Sequence, residues 1–263
     1  MCRAAGAAAF LFLLLAGAPA AAHDLWLEPS TFQPAPHGLV SVTVLVGQGF
    51  AGDTVPRDPE HIARFVLDAA GGAVPVVGLP GADPAGAVRV GDAGAAMLLY
   101  RGLPQPITLE AGKFESYLLE EGLEHVIQAR AGSGQAGKPA RERFGRCAKA
   151  LLAVGGTTGS PSPPPSCPFE IVLAEDPPAT AGKPLAVRLL WNGGPAARVL
   201  VRARCKDAPE RVWSARTDAM GRVSVPLDRA GVWLLTAVHM TAAPKGSDAD
   251  WLSEWASLML EVE

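Results

Sequence analysis

Short Val-rich alternations, each cut off by Gly, Pro or Asp, recur through most of this chain and restrict it to a fold built from many short strands. The clearest is LVSVTVLVGQGF, residues 39–50, which alternates and is rich in Val. AVPVVGL, AVRVGDAG and AAMLLYRG follow, separated by turn residues. In the second half, KPLAVRLLWNGGPAARVLVRARC places two strand candidates around Asn-Gly-Gly, the chemistry of a tight hairpin. VWSARTDAMGRVSVPLDRAGVWLLTAVHM then supplies three strands separated by two turns, with Asp218 and Gly221 serving as turn residues. With 29 Gly and 24 Pro the chain has turn formers to spare, and its aliphatic content is high enough to build cores.

One segment breaks the strand pattern. In GKFESYLLEEGLEHVIQARAG, Phe114, Leu118, Leu123 and Ile127 recur at helical spacing, with Gly122 weakening the helix. DPEHIARFVLD begins with a turn or helix-start signature and fits either a short helix or a strand. The expected fold is therefore mainly β: two β-sandwich domains, with one short helix in the first. The second is immunoglobulin-like or transthyretin-like. The Gly/Ser/Pro-rich stretch 155–166 is the expected linker between an N-terminal domain, 23–154, and a C-terminal domain, 167–263.

Residues 1–22 read as a cleaved secretory signal: Arg3, an apolar run from Ala7 to Ala18, then small residues. The run is too short for a membrane span, and no later stretch approaches ~18 apolar residues, so a periplasmic protein that does not itself span a membrane is expected. Lys and Arg total 23 against 26 Asp and Glu, an acidic balance that argues against nucleic acid as a partner. Once Cys2 leaves with the leader, Cys147, Cys167 and Cys205 remain, so at most one internal pair forms. A Cys147–Cys167 bridge would staple the linker; the pairing stays open, and Cys205 also fits as a small buried hydrophobe.

The leader ends beside His23. Cutting after Ala22 makes His23 the first residue, offering amine and imidazole to one ion. Cutting after Ala20 leaves it third, where the amine, two deprotonated amides and the imidazole suit square-planar Cu(II) or Ni(II). Either product favours metal, against the plain reading of a histidine that happens to lie near the cut. Among the other histidines, His37 falls in a turn and His61 near a cap. His125 lies one helical turn after Glu121 and is expected to pair with it on a solvated face. His239 ends the apolar strand VWLLTAV and is the expected second ligand, so His23 and His239 form the candidate metal site. The carboxylate pairs Glu120/Glu121 and Asp248/Asp250 are weak candidates for acid–base chemistry, since adjacent carboxylates on a helix diverge. There is no nucleophile elbow, His-Glu-x-x-His or phosphate loop, so binding is expected rather than catalysis.

AHDLWLEPS, FESYLLEEGLE, RERFGRCAKALL, TDAMGRVSVPL, GVWLLTAVHM and DWLSEWASL, taken in order, resemble an exported bacterial family labelled nickel-uptake-related or NikM-like. The resemblance implies a periplasmic β-sandwich protein that binds nickel or cobalt, with copper a further candidate, and delivers the ion to a membrane metal transporter. It carries over to His23 in the opening block and His239 in the His-Met block. The chain departs from the family pattern at Cys147, where an aromatic is usual, and at Phe144, where Tyr is usual. Two other readings compete. One is a non-metal sandwich module recognising an envelope partner or a glycan. The other is an oxidative copper enzyme, which needs His23 at the very terminus with a second histidine beside it.

Overall fold

The computed structural model describes residues 23–159 and 166–263. The expected leader, both candidate cut sites and half of the expected linker lie outside the described residues. In the first half the strands are β1 (Asp24–Pro29), β2 (Leu39–Gln48), β3 (Ala51–Thr54), β4 (Ile62–Ala69), β5 (Gly72–Pro75), β6 (Gly86–Arg89), β7 (Gly94–Gly102) and β8 (Gln105–Leu109). Two helices, α1 (Ala111–Glu120) and α2 (Glu124–Gly132), precede the long strand β9 (Ala140–Val154). The second half adds β10 (Phe169–Leu173), β11 (Pro184–Trp191), β12 (Gly194–Pro195), β13 (Leu200–Cys205), β14 (Ala208–Arg216), β15 (Arg222–Pro226), β16 (Gly231–Ala242) and β17 (Trp251–Val262).

The expected sandwich-type, mainly β fold is what forms, but its two halves are joined differently from the expectation. A nine-stranded sheet runs β14-β13-β16-β17-β9-β7-β4-β5, with β8 also paired to β9. Strands from both sides of 155–166 meet inside it, because β17 pairs in parallel with β9 from Trp251↔Glu142 to Met259↔Ala150. The expected boundary between 23–154 and 167–263 is thus no boundary of the sheet. Two four-stranded sheets complete the sandwiches, one from β1, β2, β3 and β6, the other from β10, β11, β12 and β15.

They cover opposite faces of the central sheet. Leu98, Leu152, Leu234 and Met259 share a core with Trp26, Leu27, Val42 and Val44 of the first small sheet. Their immediate neighbours Met97, Leu151, Leu235 and Leu258 share the other core with Phe169, Ile171, Leu185 and Leu189. Successive side chains on a strand point to opposite faces, so one central layer serves two cores. Coverage on both faces also explains the short unbroken apolar runs ALLAV in β9 and LML in β17.

Local signals decide the turns. Gly49 and Phe50 both take positive φ between β2 and β3, at +60° and +68°. Asn192 and Gly193 do the same between β11 and β12, at +49° and +78°, as a two-residue hairpin requires. That second hairpin is shorter than expected: β12 pairs at only Pro195 and Gly194, and the chain then leaves to build β13 in the central sheet. The expected single helix is two. Gly122 takes a left-handed φ of +64° between them, so the weak point in the pattern is a break. Phe114, Tyr117, Leu118 and Val126 of the helices pack on Val238, Met240 and Trp255. They therefore lie over the same face as the first small sheet, farther along β16. The ambiguous DPEHIARFVLD is a 3-10 turn, Pro59–His61, leading into β4. Cys147 and Cys167 form a disulfide, tying β9 to the start of β10, and Cys205 is free and buried. No helix among the described residues is long and apolar enough to cross a membrane.

Candidate functional site

His23 stands immediately before β1. Its carbonyl accepts a hydrogen bond from Arg146 Nη2 at 3.2 Å, while its ring Nδ1 is buried with no hydrogen-bond partner among the described residues. Asp24 follows, buried between β1 and the central sheet, where Thr236 hydrogen-bonds its carboxyl. Burial pushes that carboxyl up to about 6, against the pull of Arg202 and Arg204. Glu121, in the α1–α2 break, also points into this layer. Arg202 Nη1 donates to both of its oxygens at 2.9 Å, yet burial still raises it to about 7. Beyond it, Tyr117 and Ser253 both donate hydrogen bonds to Glu142, whose carboxyl is raised by burial. Arg146 lies with its guanidinium 4.7 Å from the Phe144 ring centroid, and burial lowers its pKa. His23 and β1 therefore lie beside a buried seam of acids and guanidiniums.

Most of this seam was not legible beforehand. Glu121 and His125 were expected as a solvated pair, but Glu121 is buried on Arg202, and His125 Nε2 donates to the Met240 carbonyl at 3.0 Å. The helix ends before Glu121, so the helical spacing that would join the two does not exist. Glu120 accepts from Gln48 on the exterior. Asp248 and Asp250 are held by Arg143 and Arg141, and Arg141 keeps the Asp250 carboxyl below the usual carboxylate range. His37 sits by Asp92 on the surface, and His61 pairs with Asp58.

His239 lies elsewhere. Its ring is 4.4 Å from Trp191 and 5.7 Å from Phe169 by centroids, in the layer of the second small sheet. Burial lowers its pKa to about 4, so it is neutral near pH 7. Thr236, three residues earlier, faces Asp24; an odd step along a strand reverses the face. His23 and His239 are thus on opposite sides of the central sheet, and the structure does not bring the expected pair together. Among the described residues, no three His, Cys, Asp or Glu side chains are gathered as a metal site.

A shared sheet carrying one sandwich on each face, with a charged seam under its first strand, defines a β-rich sandwich-type protein. The chain belongs to the family described as a domain of unknown function (DUF4198), whose pattern matches residues 20–241. No curated protein matches the sequence.

Proposed function

We propose that this is a periplasmic transition-metal-binding protein. Exported through a cleaved leader, it takes nickel, cobalt or copper at its mature amino terminus and passes the ion to a membrane transporter. One observation carries the reading: among the described residues Nδ1 of His23 is buried and unpartnered, at the position where the leader is expected to end. Nδ1 is the ring nitrogen that reaches the same ion as the chain's own amine or amide nitrogens, whether His23 stands first or third after cleavage. Such a chelate draws its nitrogens from one strand end and needs no contribution from His239. The nearby Asp24 and Glu142 carboxyls, both raised by burial, supply acidic character to the layer behind it. The resemblance of AHDLWLEPS and GVWLLTAVHM to nickel-uptake-related proteins supports the same role.

Mass spectrometry of the protein purified from the periplasm identifies the terminus, and titration with Ni(II), Co(II) and Cu(II) follows. His23→Ala is expected to abolish tight binding, while His239→Ala leaves it unchanged. Equal affinity in wild type and His23→Ala overturns the proposal, as does a mature protein that still carries residues 1–22.

A further inference from the structure

Beside Arg146, the first small sheet and the central sheet stand apart along a groove of about 630 Å³. That volume falls within the roughly 300–1,000 Å³ typical of small-molecule sites. Its walls are mainly apolar, among them Val44, Val46, Val55, Ile62, Leu103 and Phe144. Two guanidiniums line it, Arg57 and Arg146, and Asp58 is the one carboxylate among the lining residues. Asp58 is already engaged by His61 at 2.5 Å, and that hydrogen bond, with one from the Glu60 backbone, holds it below the usual carboxylate range. Positive charge in this apolar setting therefore exceeds the negative charge available to balance it.

Both arginines are held in place. Arg57 runs past Gly78 and Gly86, where a Cβ would come within 3.2 Å of its Cδ and Nη1 respectively, and Nη1 donates to the Ala85 carbonyl at 3.1 Å. Arg146 is seated on the Phe144 ring and tethered to the His23 carbonyl. Among the described residues its Nε–H is buried with no partner and no carboxylate forms a direct ion pair with it; Asp24 and Glu142 act on it only at longer range. A half-buried guanidinium with no anion directly on it leaves donor capacity that an incoming anion can use. Guanidinium donors match a planar carboxylate well.

We propose that this groove binds an amphipathic carboxylate, with the headgroup on Arg146 and the apolar body along Ile62, Val55 and Leu103. The headgroup site does not use the His23 ring, since the hydrogen bond Arg146 makes to that residue goes to its backbone carbonyl. The test is calorimetric titration of the mature protein in chelator with octanoate, and with octanol as its neutral counterpart. Octanoate is expected to bind, with octanol at least about tenfold weaker, the scale of a charge-assisted hydrogen bond. Arg146→Gln should remove that preference, and Leu103→Trp, at a position 45% exposed, should fill the mouth and weaken both ligands. His23→Ala should leave octanoate affinity unchanged, which separates this site from the metal reading. No octanoate binding to wild type overturns the proposal. So does equal affinity for the two ligands, or octanoate binding that is indifferent to both Arg146→Gln and Leu103→Trp.

Discussion

Glu254 offers a direct measure of how closely the central sheet is sealed on its second face. It stands opposite His239 in the β16–β17 register, with its carboxylate lying over Gly145, where a Cβ would come within 2.3 Å of Oε2. No hydrogen-bond donor reaches it among the described residues; Arg101 is the one charge drawing its pKa down, and burial outweighs that, raising it from 4.5 to about 7. A tenfold change in proton affinity is worth about 1.4 kcal/mol. Holding Glu254 ionised in the folded state therefore costs on the order of 3 kcal/mol, or about 2 kcal/mol once partial solvent contact is allowed for. Because the folded value lies above the unfolded one, the contribution is intact below about pH 4.5 and is lost as pH rises through about 7. Glu254→Gln keeps the shape and removes the charge. Urea unfolding of both proteins, with the disulfide oxidised, should give similar stabilities near pH 4.5 and a variant more stable by about 2 kcal/mol at pH 8. Asp24, Glu121 and His239 titrate in both proteins, so the difference between the two curves isolates Glu254. A gap that stays constant from pH 4.5 to 8, or one that favours the wild type at pH 8, refutes the reasoning.

Other interactions permit equally direct checks. Lys149 is buried on β9 and pairs with Glu170 of the second small sheet, so Lys149→Met alone strands a buried carboxylate and should cost about 3–5 kcal/mol. Lys149→Met/Glu170→Gln should recover most of that loss in urea unfolding, and a double variant as unstable as the single one would contradict the pairing. Cys147→Ala/Cys167→Ala opens a link across 20 residues of sequence and should lower unfolding free energy by about 3 kcal/mol, read from the denaturation midpoint. Gly122→Ala sets a Cβ at a left-handed φ and within 2.7 Å of Arg216 Nη2, and a thermal melt should show a loss of about 1–2 kcal/mol.

Seen from individual residues, legibility follows the range of the interaction. The alternation of residues 39–50 marks β2 because its inward positions, Val40, Val42 and Val44, lie two apart and are all buried. Asn192-Gly193 marks a hairpin because only certain residues adopt positive φ without strain. Gly122 weakens a helical pattern for the same reason, although its consequence was two helices and not one imperfect helix. Glu121 was misjudged because its partner, Arg202, lies 81 residues away and no periodicity connects them. His23 and His239 were paired because one stands at the expected leader cut and the other at the close of an apolar stretch, and residue type carries no information about which face of a sheet an element presents.

By itself, then, the order of residues determined the strands, the turns between them, the interruption in the helical segment and the predominance of β structure, since each rests on neighbours a few positions apart. Only the tertiary structure decided that β9 and β17 join the halves into one sheet, with the small sheets on opposite faces and the two histidines apart. Those outcomes depend on strand order and on the parity of each residue along its strand, which become fixed only when segments more than a hundred residues apart hydrogen-bond in register.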